Sequence, residues 1–356
     1  MPHRSVKMRG AMTGHIETHS PQFEADRENF RSIILLGKNA ASYKFSLGKS
    51  LLELARDGSE VVSIADLAVP FARNICEHLL AIDRQGTAAS SRFLDACRFY
   101  NEGSIKDHEL RDVTIQFGFE NVIDAFHVVG DGDVSTRFFV DERQHQRIRL
   151  TDDLLNLAQH PVAADLASET EARWRLVEEA WDGRATGRPV RVLYNRRTEL
   201  LVPALLGKRQ SITEIRPALN GYQQGHCFYC FRPIQLNGPA SMRPDVDHFL
   251  PFSLMTRGFP VDLDHPWNLV LACQTCNRGS AGKFAHLPHS RYIDRLHRRN
   301  EHLIQSHHPL RETLIEKTGA SAQKRLKFLT ESLELAGGYS AEPSGWTAEE
   351  EQKPLF

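Results

Sequence analysis

Two Cys-x-x-Cys pairs constrain this chain more than any other feature. Cys227 and Cys230 stand in "CFYC", and Cys273 and Cys276 stand in "CQTC" downstream. The short gap inside each pair lets one tight turn aim both sulfurs at the same point. Two such pairs supply the four soft thiolates of a tetrahedral structural Zn2+ site. With every position filled by sulfur, the ion has no open coordination site, so its task is to staple a small unit with little core of its own. Any chemistry must come from what lies between the pairs. Cys76 and Cys97 sit alone in helical patterns and read as small core residues.

Between the pairs runs "DVDHFLP", in which Asp247 is a hard oxygen ligand that the zinc does not need and that suits Mg2+ or Mn2+. His248 beside it is the side chain most easily held neutral near pH 7, able to take a proton from water. "NLVLAC", opening at Asn268, reads as a short strand. "QTCNRGSAGK" then reads as a turn entering a helix, with Asn277 directly behind the last cysteine.

On these residues (the four cysteines, "DVDHFLP", the Asn that opens "NLVLAC" and the "CN" that closes "CQTCN") the stretch from 225 to 290 resembles the HNH endonucleases, whose core is the ββα-metal fold. It is most similar to four-cysteine members such as phage endonuclease VII, whose last motif residue is likewise Asn. The resemblance implies that His248 is the general base and that Asp247 and Asn277 bind one catalytic Mg2+ or Mn2+. It implies that Asn268 braces the loop between the strands and so orients His248. Lys283 is the implied phosphate contact, although the family's Lys follows the last motif residue more closely. Large helical extensions on this core resemble those of restriction and anti-phage defence proteins, the Zorya type among them. The alternative is a non-catalytic zinc module that binds nucleic acid or a protein partner, which would have no use for Asp247, His248 and Asn277 together.

Charge distribution agrees with a polyanionic partner such as DNA. Residues 201–330 carry 17 Lys+Arg against 9 Asp+Glu, a surplus of +8, which leaves 27 against 36, or −9, for the remainder. Arg291, Arg295, Arg298 and Arg299 fall on one helical stripe just after the motif and are expected to meet the phosphate backbone. The acidic remainder is unsuited to wrapping DNA and is expected to dock protein partners of a defence system.

The composition, 41% hydrophobic and 25% charged, is that of an ordinary globular chain. No apolar run approaches the roughly 18 residues of a membrane span. The first twenty residues lack the apolar region of a signal peptide, so a cytoplasmic location is expected. The expected fold is mainly α: a helical N-terminal domain, then a small zinc-stapled ββα-metal core with a helical C-terminal flank. The expected divisions are a flexible terminus over 1–25, a mostly helical regulatory or partner domain over 26–195, the nuclease domain with its flanking helices over 196–335, and a disordered acidic tail over 336–356. "GKS" at 48–50 lacks the second Gly of a phosphate-binding loop, with Tyr43 in its place, and reads as plain helix.

Overall fold

The computed structural model describes residues 21–36, 41–86, 91–185, 192–203, 213–306, 308–341 and 344–356. Mainly α is what it shows, with several small sheets. Among the described residues no helix is long and apolar enough to cross a membrane.

The N-terminal half opens with two helices, α1 (Pro21–Leu36) and α2 (Tyr43–Arg56). The expected flexible terminus lies outside the described residues up to 20, and residues 21–25 already belong to α1. Strand β1 (Val61–Ser63) leads into α3 (Ile64–Ala81) through a serine cap: Ser63 Oγ accepts from Asp66 N at 3.0 Å. Helices α4 (Arg92–Asn101), α5 (Asp107–Val113) and α6 (Val122–Ala125) follow. A short hairpin of β2 (Val128–Val129) and β3 (Gly132–Asp133) comes next. Strands β4 (Phe139–Glu142) and β5 (Arg147–Leu150) join β1 in an antiparallel sheet of order β1-β5-β4. Thr151 then caps α7 (Asp152–Gln159), and α8 (Val162–Ala185) closes this half. Phe30, Phe45, Phe71, Phe93, Phe126 and Phe138 fill its core, and Cys76 and Cys97 are buried in it as expected.

The "GKS" stretch is helix, as read. Gly48 lets α1 come close, since a Cβ there would stand 3.0 Å from Ile34 Cδ1. Lys49 Nζ meets Glu171 Oε2 at 2.7 Å, tying α2 to α8. His78 of α3 lies flat on Trp174, ring centroids 3.4 Å apart, with Nδ1 2.7 Å from Glu178 and Nε2 3.1 Å from Glu171.

Helix α8 serves two cores. Trp174, Val177 and Trp181 pack into the N-terminal one, while Ala172 and Leu176 belong to the second. Glu169 takes Arg31 of α1 in a buried bidentate pair at 2.8 and 2.9 Å, and on its far side accepts from Asn220 Nδ2 at 2.7 Å. Asp165 accepts from the backbone of Leu236 and Asn237, both at 2.9 Å.

The second half starts with β6 (Val192–Asn195), β7 (Leu200–Pro203) and β8 (Thr213–Glu214), an antiparallel sheet, then α9 (Ile215–Gln223). The expected division at 195/196 therefore cuts a hairpin. Val192, Tyr194 and Leu201 pack into the second core, which places the whole hairpin with the later residues. Strand β9 (Asp245–His248) pairs antiparallel with β10 (Leu269–Ala272), His248 opposite Leu269 and Asp247 opposite Val270. Helix α10 (Gln274–Arg278) follows at once, and α11 (Arg291–Gln305), α12 (Arg311–Thr318) and α13 (Ala322–Gly337) flank the unit.

The expected disordered tail is instead docked. Strand β12 (Ser344–Trp346) runs parallel to β11 (Leu287–Pro288), and the Trp346 ring packs 5.1 Å from that of Tyr229. Gln352 N donates to Cys230 O at 2.9 Å, Glu351 accepts from Tyr292 Oη at 2.7 Å, and Phe356 packs 4.9 Å from Phe231. Two of its carboxylates face arginines: Glu350 pairs with Arg232, and Glu351 with Arg291 and Arg295.

Candidate metal centre and hydrolytic site

The four cysteine sulfurs converge from two turns. Cys227 and Cys230 lie on a loop closed by Phe231 N donating to Cys227 O at 3.0 Å, and Phe231 takes the left-handed φ of 59° that reverses the chain. Phe228 N donates to Leu271 O at 2.9 Å and moors this turn to β10. Cys273 caps α10, its Sγ accepting from Cys276 N at 3.5 Å. The ligand atoms all lie within 4.8 Å of one another, with Cys230 Sγ and Cys273 Sγ 3.7 Å apart. A zinc–sulfur bond of about 2.3 Å sets tetrahedral sulfurs roughly 3.8 Å apart, so the donor set fits a metal such as zinc in both chemistry and spacing. Burial pushes the Cys227 thiol well up, while hydrogen bonds from Cys227, Cys230 and Cys276 pull Cys273 down. A divalent ion ends that competition by replacing the thiol protons.

Asp247 and His248 leave β9 on opposite sides, as neighbours on a strand do. Asp247 points inward, 6% exposed, its Oδ2 accepting from Tyr229 Oη at 2.6 Å and its Oδ1 from Lys283 Nζ at 3.1 Å. Lys283 also donates to His248 O at 2.8 Å and is fully buried. Burial lowers the lysine's proton affinity, and the Asp247 carboxylate opposes that shift. His248 points the other way, its side chain 11% exposed. Its Nε2 lies 2.7 Å from Asp264 Oδ1, and its ring lies 5.6 Å from Phe252 and 6.1 Å from Tyr194.

Asn268 is wholly buried and clamps the loop between the two strands: its Oδ1 accepts from Leu250 N at 2.8 Å, and its Nδ2 donates to Leu250 O at 3.0 Å and Leu263 O at 3.1 Å. That clamp closes the loop from Leu250 to Leu263, which His248 and Asp264 flank on either side. Asn277 turns its amide toward Asp245, with Nδ2 to Oδ2 at 3.0 Å, and Arg278 meets the same carboxylate at 3.1 Å.

Three sequence expectations are corrected by this arrangement. Asp247 has both oxygens engaged, one by a phenol and one by an ammonium, and Asn277 is bonded to Asp245. As placed, these residues do not fit a divalent ion held between them, because a second cation at Asp247 would stand against Lys283. Lys283 cannot meet a phosphate from the interior; it neutralises Asp247 instead. The arginine stripe faces inward over half its members. Arg295 donates to Phe228 O at 2.6 Å and Tyr229 O at 2.8 Å, and Arg299 to Pro266 O, Trp267 O and Leu269 O at 3.0, 3.1 and 2.8 Å. Both satisfy carbonyls of the cysteine turn and the hairpin. Arg298 stays exposed, and Arg291 is held by Glu351 and Tyr292 Oη.

Asp264, Tyr229 and Asp245 were not singled out from sequence. Tyr229 sits inside "CFYC", where it reads as filler, and Asp264 comes four residues before Asn268 on a loop whose closure no spacing announces. No family model, curated protein or solved structure matches this chain.

Proposed function

We propose that this chain is an HNH-type endonuclease that hydrolyses DNA phosphodiester bonds, with His248 as the general base. The observation that carries the reading is the His248–Asp264 pair, mounted on a hairpin that the four-cysteine turns brace. With Nε2–H donated to Asp264, the free Nδ1 of neutral His248 takes the proton of a water attacking phosphorus. The water oxygen bonds to phosphorus, the ester oxygen leaves and is protonated by solvent, and Asp264 offsets the imidazolium charge. A positioned base of this kind supplies on the order of 10²- to 10⁴-fold. In the same reading the acidic N-terminal half docks partners in a system of defence against foreign DNA.

The alternative, a non-catalytic zinc module binding nucleic acid or a protein, draws on the engagement of Asp247 by Lys283 and Tyr229. Supercoiled plasmid incubated with the full chain and with His248→Ala, in Mg2+, Mn2+ and chelator arms, separates the two. Nicking or linearisation that His248→Ala abolishes supports the hydrolase. Binding without cutting in every arm supports the module. The ion arms also ask whether Mg2+ or Mn2+ displaces Lys283 from Asp247.

A further inference from the structure

The approach to His248 is walled by the β6–β7 hairpin, which lies outside the stretch that resembles a nuclease. Tyr194 of β6 is buried with its ring 6.1 Å from the His248 ring, fixing the hairpin against the site. At the tip, Asn195 Oδ1 accepts from Arg197 N at 3.1 Å and Thr198 N at 3.3 Å, holding the turn in one shape. Arg196 is exposed and lies over Phe252, its Cζ 3.7 Å from the ring centroid, while that ring is 5.6 Å from His248. Among the described residues the Arg196 guanidinium makes no hydrogen bond or ion pair. The nearby carboxylates are already matched, Glu199 by Arg216 and Asp264 by His248.

An arginine stacked on an aromatic face keeps its in-plane N–H donors free, and that planar fork suits the oxygens of a phosphate. Phe252 carries this fork on a ring whose centroid is 5.6 Å from that of the imidazole, and does not neutralise it. We propose that the tip of the β6–β7 hairpin is a phosphate-binding element, in which Arg196 on Phe252 grips a backbone phosphate of the nucleic-acid strand presented to His248. The proposal rests on the hydrolase reading for its strand and supplies the cation that the inward-facing arginines of α11 do not.

The test uses the full chain carrying His248→Ala, so that the probe survives, and follows a fluorescein-labelled DNA duplex by anisotropy across a salt series. Adding Arg196→Ala is expected to weaken binding about tenfold and to reduce the slope of log K against log salt by about 0.9, one phosphate contact. Arg196→Gln keeps a planar donor without the charge, so it is expected to show the same loss of slope even if alanine disturbs the tip. Unchanged affinity and slope in both variants overturns the proposal, as does a parent chain that does not bind the duplex. The hydrolase reading fails separately: a chain with His248 intact that binds through Arg196 yet cuts nothing in any ion arm overturns that reading and leaves the phosphate contact standing.

Discussion

A histidine serves as a base only if the right nitrogen is bare, and Asp264 decides which one that is by engaging Nε2. Asp264→Asn offers an amide that can stabilise the other tautomer. It is expected to lower the rate constant for plasmid nicking by on the order of 10²-fold or more with little change in KM, measured by initial rates over a substrate series. Equal loss in kcat and in folding stability would instead mark Asp264 as structural. The Lys283–Asp247 pair has a different consequence. Lys283→Met removes one partner of a buried ion pair and leaves a carboxylate in the core, at a cost of about 3–5 kcal/mol seen in denaturant unfolding. An unfolding midpoint at or above that of the parent would show that the pair does not form. At this scale the sequence was legible where chemistry is tied to short spacing: the cysteines and the Asp247-His248 dipeptide stand out from a few neighbours. It was silent where partners meet through loop closure, as Asp264 meets His248 and as Lys283 reaches back 36 residues to Asp247.

At the scale of elements, helical periodicity says which residues share a face and leaves open what that face meets. Arg295 and Arg299 do share a stripe of α11, but the stripe also carries Tyr292, Leu296 and Leu303 against the core, and the guanidinium groups end on carbonyls there. The docked tail is illegible in sequence for the complementary reason: its apolar anchors, Trp346 and Phe356, are too far apart to form a pattern, and Glu350 and Glu351 pair with arginines that the local sequence does not contain. The strand, strand and helix around the cysteines, by contrast, follow two short-spaced turns whose sulfurs converge on one point and could hold a metal such as zinc. The purified chain is expected to contain one zinc per molecule by elemental analysis. Stripping it with a strong chelator is expected to lower the melting temperature, with zinc, and not magnesium, restoring it. A zinc-free preparation that melts at the same temperature would remove the staple from the account.

Across the whole molecule, several histidines are locked neutral by burial. His127 is pulled down to about 4 and His265 to about 3, against an ordinary value near 6.5, and burial takes His308 well below it too. Because the unfolded chain binds these protons first, stability is fully present above about pH 6.5 and declines as pH falls toward 4. Denaturant midpoints measured across that interval are expected to drop steadily; a flat profile would mean that these rings are not held neutral. His127 belongs to the first core and His265 to the loop before Asn268, so acid attacks both halves at once.

Helix α8 gives those halves a common fate. One rod forms a wall of each core and carries Glu169 and Asp165 across to the far side. Loosening it anywhere loosens both rooms that share the wall. Anything that grips the N-terminal half must therefore make the other half harder to pry open, by mass action alone and with no atom of the His248–Asp264 pair displaced.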